Sequence, residues 1–136
     1  MAASGSILFV CNLNKVRSPM AAALAKAKSP EMRVESCGLE AASMVDPFAV
    51  AAMAELGLEL EWHEPQPLEA FEGQSFDRVV ALTPEAAAWV EAAGLGPILY
   101  WPTLDPTLEG GSREQRLDAY RATRKALEAR IEAELG

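Results

Sequence analysis

Four short apolar runs mark the chain, separated by alanine-rich or amphipathic stretches. Residues 6–11 (SILFVC) are apolar without the period of a surface helix, which predicts a strand buried on both faces. Residues 18–28 (SPMAAALAKAK) predict a helix, with Ser18 as cap and Pro19 in the first turn. Residues 32–38 (MRVESCG) predict a second strand ending on Gly38. Residues 46–57 (DPFAVAAMAELG) predict a helix capped by Asp46, opened by Pro47 and stopped by Gly57. Pro65 and Pro67 leave 59–72 as loop. A third strand at 76–82 (FDRVVAL) leads into a helix at 83–94, and 97–101 (PILYW) gives a fourth strand. The last helix is long, 112–135; Leu117, Tyr120, Thr123, Leu127 and Ile131 recur at helical spacing and predict its core face. Strand and helix alternate four times. That order predicts one three-layer α/β domain over residues 1–136, a four-stranded parallel sheet with helices on both faces. Ligands of such sheets bind beyond the strand C-termini.

Composition narrows the picture. The 136 residues suit a single domain, and half of them are apolar. Twenty acids against 12 bases leave a net charge of −8. That field repels phosphate backbones and anionic lipid, so neither nucleic acid nor membrane is an expected partner. No apolar run approaches the roughly 18 residues of a membrane span, and no basic segment opens a signal peptide. A cytoplasmic protein with reduced thiols is the expectation. Two cysteines and one histidine offer no metal-ligand spacing, and no cofactor is expected.

The first apolar run ends in FVCNLNKVRSPM, residues 9–20. This is a turn from a strand into a helix, where successive backbone N–H groups and a helix N-terminus converge on an anion. Cys11 stands at its floor, and the local field favours the thiolate. Arg17 can grip two oxygens of a tetrahedral anion with its planar fork. Ser18 can donate to the thiolate, and Asn14 tolerates the left-handed backbone that a tight loop needs. The loop from Asn12 through Leu13, Asn14, Lys15 and Val16 to Arg17 and Ser18 is a candidate phosphate cradle with a nucleophile inside it. The plainer alternative is a buried strand-end thiol beside a solvated arginine.

VCNLNKVRSPMA, residues 10–21, resembles the phosphate-binding loop of the low-molecular-weight protein-tyrosine phosphatases. Three further features match that family along most of the chain: SCG at 36–38, Phe76-Asp77 opening the third strand, and Asp105-Pro106 after the fourth. The resemblance implies that Cys11 is the nucleophile and Arg17 the oxyanion clamp. It implies that Asp105 is the general acid and base. It also implies that Ser36 bonds the loop asparagine and that His63 completes that network. The expected substrates are phosphorylated proteins or small phosphate esters, with phosphate-like oxyanions as ligands and a monomer or weak dimer as the state.

The departures from the family matter too. Its pocket aromatics are replaced by Ala42 and by Thr107-Leu108, which predicts an open pocket poorly suited to stacking an aryl ring. Val16 stands where many members carry a second cysteine. Cys37 is expected as a packing residue, with a redox partner as the other reading. Trp62, Trp89 and Trp101 are expected to pack rather than to touch ligand. The fold also hosts arsenate reductases. Those drawing on thioredoxin use two more cysteines after the third strand, absent here, whereas a version supplied by a small external thiol needs only Cys11. A non-catalytic oxyanion- or partner-binding domain is the third reading.

Overall fold

A computed structural model describes residues 5–135. Its elements are β1 (Ser6–Cys11), α1 (Arg17–Lys28), β2 (Arg33–Gly38), α2 (Pro47–Ala54), β3 (Arg78–Ala81), α3 (Pro84–Ala93), β4 (Ile98–Tyr100) and α4 (Arg113–Leu135). Single 3-10 turns cover Leu68–Phe71 and Pro106–Leu108. All strand pairs are parallel, in the order β2-β1-β3-β4. This is a single α/β domain with helices on both faces of a four-stranded sheet.

Side-chain alternation along β1 splits the core in two. Ile7, Phe9 and Cys11 face a core built with α1, α2 and α4, including Met20, Met53, Tyr120 and Leu127. Leu8 and Val10 face the other core, with Cys37, Val79, Ala81, Ala86 and Val90. Helix α4 buries the predicted Leu117, Tyr120, Thr123, Leu127 and Ile131, and Arg124 besides. The buried Arg124 guanidinium bonds the Ala52 carbonyl (2.6 Å) and Glu55 (2.8 Å) on the α2 side.

The sheet order fixes where a ligand can sit. The chain leaves β1 in one direction to make β2, then returns past β1 to make β3 on its other side. The ends of β1 and β3 therefore diverge into a crevice. Cys11 is the last residue of β1.

Three expectations change. Ser18 does not cap α1: Val16 occupies the cap position, with no side-chain bond, and Ser18 lies inside the helix. Its hydroxyl is drawn into a buried cluster instead. The 59–72 segment is not all loop. Its Leu68–Phe71 turn buries Leu68 and Phe71 on the α3 face, because a chain crossing the sheet there must cover apolar strand residues. Of the three tryptophans only Trp101 packs inside; Trp62 and Trp89 are 79% and 59% exposed.

Candidate active site

The turn between β1 and α1 is held from outside by its carbonyls. Cys11, Asn12, Leu13 and Lys15 accept backbone bonds from Leu39, Glu40, Ala42 and Asp46, at 3.0–3.1 Å. Among the described residues, the N–H groups of residues 12–17 meet no protein acceptor. A loop whose carbonyls all point outward turns its N–H groups inward, onto the N-terminus of α1. That helix has no acidic residue in its first turn. Gly38 makes the close approach possible: a Cβ there would strike the Glu40 carbonyl and lie 2.7 Å from the Asn14 nitrogen.

Asn14 is the buried centre of the loop. Its φ of 55° is left-handed, a conformation that asparagine tolerates. The backbone N–H of Gln66 donates to its Oδ1 (2.8 Å), which fixes the amide orientation. Nδ2 then donates to Ser18 Oγ (2.8 Å) and Ser36 Oγ (3.0 Å). His63 Nε2 lies 3.0 Å from Oδ1 and 3.1 Å from the Asn14 carbonyl. Because Ser18 accepts from Asn14, its single proton is left for Cys11 Sγ, 2.9 Å away, or for the more distant Cys37 carbonyl at 3.3 Å. Ser18, Ser36, Asn14 and His63 thus form one cluster behind the thiol.

Arg17 and Asp105 reach the loop from its open side. A cleft of about 150 Å³ is lined by Cys11, Asn12, Leu13, Lys15, Val16, Arg17, Asp105 and Thr107. The Arg17 guanidinium spends NH1 on the Thr103 carbonyl (3.0 Å), and NH2 faces Asp105 Oδ2 at 3.8 Å. Asp105 Oδ1 accepts twice from Thr107, from N (2.9 Å) and Oγ1 (2.7 Å). Oδ2 is left toward the arginine. None of the lining residues is aromatic.

Three links to the loop had no signal in the sequence. Thr83 caps α3 through Ala86 N (3.0 Å) and donates to Asn12 Oδ1 (2.7 Å), tying the loop to α3. The Gln66 N–H and the Thr103 carbonyl are backbone groups, invisible to any reading of side chains. Cys37 is fully buried in the α3-side core, and burial above all pushes its thiol up to about 12. It neighbours Val10 in register, so its side chain stands on the sheet face opposite Cys11.

A family model for low-molecular-weight phosphotyrosine protein phosphatases matches residues 6–95. A glutaredoxin arsenate reductase from a Synechocystis strain is 39% identical over 77 residues, covering 56% of this chain and 58% of the relative. The chain spans only about half the length of the first curated relatives it matches. An arsenate reductase from Halalkalibacterium halodurans is 32% identical over 127 residues, covering 92% of this chain and 91% of the relative. Among solved structures, an arginine phosphatase from Geobacillus stearothermophilus is 30% identical with a TM-score of 0.76, covering 96% of this chain and 90% of that one. The names divide between phosphatases and arsenate reductases, but fold and family do not. The chain belongs to the low-molecular-weight phosphotyrosine protein phosphatase family.

Proposed function

We propose that this protein is a cysteine-dependent phosphatase that hydrolyses phosphate monoesters of the phosphotyrosine type through a phosphocysteine at Cys11. The observation that carries the proposal is the shared cleft: a thiol, a ring of unpartnered N–H groups, a guanidinium and a carboxyl line one small space. Cys11 Sγ attacks phosphorus, with the Ser18 hydroxyl and the loop N–H groups aimed at the same small space. Those N–H groups and the Nε–NH2 edge of Arg17 grip the equatorial oxygens as charge builds on them. The bond to the leaving oxygen breaks, and Asp105 Oδ2 gives that oxygen a proton. The Asp105 carboxylate then takes a proton from water as the water attacks phosphocysteine, and inorganic phosphate leaves with Cys11 restored.

A second reading is thiol-dependent arsenate reduction. It is favoured by a cleft small enough for a bare oxyanion, without an aromatic wall, and by the name of the Synechocystis relative. Cys11 would join arsenic with loss of water. An external thiol would then take the Cys11 sulphur as a mixed disulfide while arsenic leaves as arsenite with two electrons, and a second thiol would free Cys11. Both thiols come from outside, since Cys37 lies across the sheet.

The test compares hydrolysis of an aryl phosphate with arsenate reduction fed by glutathione and glutaredoxin. Hydrolysis that Cys11→Ser abolishes, with vanadate binding retained, is the expected result. Arsenate reduction without hydrolysis would replace the first reading by the second. Oxyanion binding with neither activity would leave a binding domain.

A further inference from the structure

A second hollow opens beside the anion cleft, about 380 Å³ against about 150 Å³. Asn12, Arg17 and Asp105 line both, so the two spaces meet across these three side chains. The remaining wall is mostly apolar, with Pro84 at the start of α3, Tyr100 at the end of β4, and Pro102 and Leu104 beyond it; Glu85 is its one carboxylate besides Asp105. Tyr100 pairs with Ala81, a member of the α3-side core, so its ring stands on that face beside the first turn of α3. The ring is 45% exposed and Leu104 is 89% exposed. Among the described residues the Tyr100 hydroxyl has no hydrogen-bond partner, so no described polar group fixes its position. The hollow on the α4 side differs: it shares only Asp105 with the anion cleft, and no aromatic ring lines it.

The geometry points to Tyr100 as the residue that selects an aromatic leaving group. The phosphate of an aryl ester sits in the Cys11 loop while its ring lies in the hollow against Tyr100 and Leu104. Aromatic pairs attract beyond the area they bury, and a flat ring beside an aliphatic side chain sheds water from both. Asp105 borders both compartments, so the bridging oxygen of such an ester lies next to the carboxyl that protonates it. The ring contact missing at Ala42 and Thr107 is supplied from a different element, the end of the edge strand. This inference rests on the oxyanion-binding reading of the loop and names the leaving group that it accepts.

Binding and turnover are measured separately. In the Cys11→Ser background, calorimetry compares phenyl phosphate, methyl phosphate and inorganic phosphate. Phenyl phosphate is expected to bind about 3- to 10-fold tighter than methyl phosphate, the range of an aromatic pair. Tyr100→Ala should erase that preference and leave the methyl phosphate and inorganic phosphate constants unchanged, which also shows that the variant is folded. Tyr100→Phe should keep the preference, because the ring and not the hydroxyl makes the contact. A phenyl preference that survives Tyr100→Ala, or is absent with Tyr100 in place, overturns the proposal, as does a loop that binds none of the three. Turnover of phenyl phosphate with Cys11 present is the separate arm. Tyr100-dependent binding without turnover sinks the phosphatase reading and spares the subsite; turnover indifferent to Tyr100→Ala sinks the subsite and spares the phosphatase.

Discussion

His63 presents one ring nitrogen to two oxygens of Asn14, which demands that Nε2 carry the proton. Partial burial holds its pKa below the usual value near 6.5, against a smaller opposite pull from the bond to the Asn14 backbone. The folded state therefore prefers neutral His63. Near pH 6.5 the unfolded chain takes up a proton before the folded one does, so stability rises with pH through this window. The contribution is complete above about pH 6.5 and is lost as pH falls below it. The melting temperature should fall between pH 7.5 and pH 5.5, and His63→Gln should flatten that fall; equal slopes for the two proteins would remove His63 as its origin. The histidine's role came from the family resemblance, whereas its partners depend on the fold: 49 residues separate it from Asn14. Ser18 shows the limit of local reading. A serine before proline at a helix start reads as a cap, but Cys11 and Asn14 stand close enough in space to claim the hydroxyl.

Two Asp-Pro steps show how an element gives one dipeptide two outcomes. Asp46 Oδ1 caps α2 through Phe48 N (2.8 Å), and Oδ2 accepts from Tyr120 OH (3.0 Å) on α4. Asp105 also makes a cap, on Thr107 N, but its second oxygen faces Arg17 and the cleft. Asp46→Ala should cost about 1–3 kcal/mol in denaturant unfolding, from the lost cap and the stranded tyrosine hydroxyl. It should leave turnover nearly unchanged, because the bond from Asp46 N to the Lys15 carbonyl survives. Asp105→Asn should do the reverse. The amide oxygen can still cap, so stability holds, while hydrolysis of an unactivated ester slows about 10- to 100-fold more than that of an activated one, within the range for a general acid. Equal slowing of both esters would take Asp105 out of the acid role. At this scale the sequence was most legible where the signal is local. The Asp46 cap, the helix at 83–94 and the buried stripe of α4 follow from neighbours along the chain. The Leu68–Phe71 turn did not, being four residues held by contacts across the sheet. Strand β3 starts at Arg78 rather than at Phe76, because the Phe76 N–H is used by Leu95, outside the ladder.

At the scale of the whole molecule the sheet keeps the two cysteines apart. Alternation sends Cys11 to the face of α1, α2 and α4 and Cys37 to the face of α3, although the strands that carry them are hydrogen-bonded neighbours. A disulfide needs Cβ atoms about 3.5–4.5 Å apart with converging vectors, and two side chains on opposite faces of a pleat do not converge. Of the two readings left open in the sequence, register favours the packing residue over the redox partner, and register is a property that composition and spacing do not encode. Chemical reactivity should follow the same division. Burial pushes the Cys37 thiol up to about 12, so it stays protonated at pH 7, and it is fully enclosed. Cys11 lines the cleft that the loop N–H groups and Arg17 make attractive to anions, despite the chain's net charge of −8. Iodoacetate, itself an anion, should therefore alkylate one thiol per native chain, and inorganic phosphate should slow the reaction by competing for the loop. In guanidinium chloride both thiols should react and phosphate should protect neither. Peptide mass mapping reads which cysteine is modified. Native labelling of Cys37 at the rate of Cys11, or labelling of Cys11 that phosphate does not slow, would contradict the division of the molecule into one reactive face and one inert face.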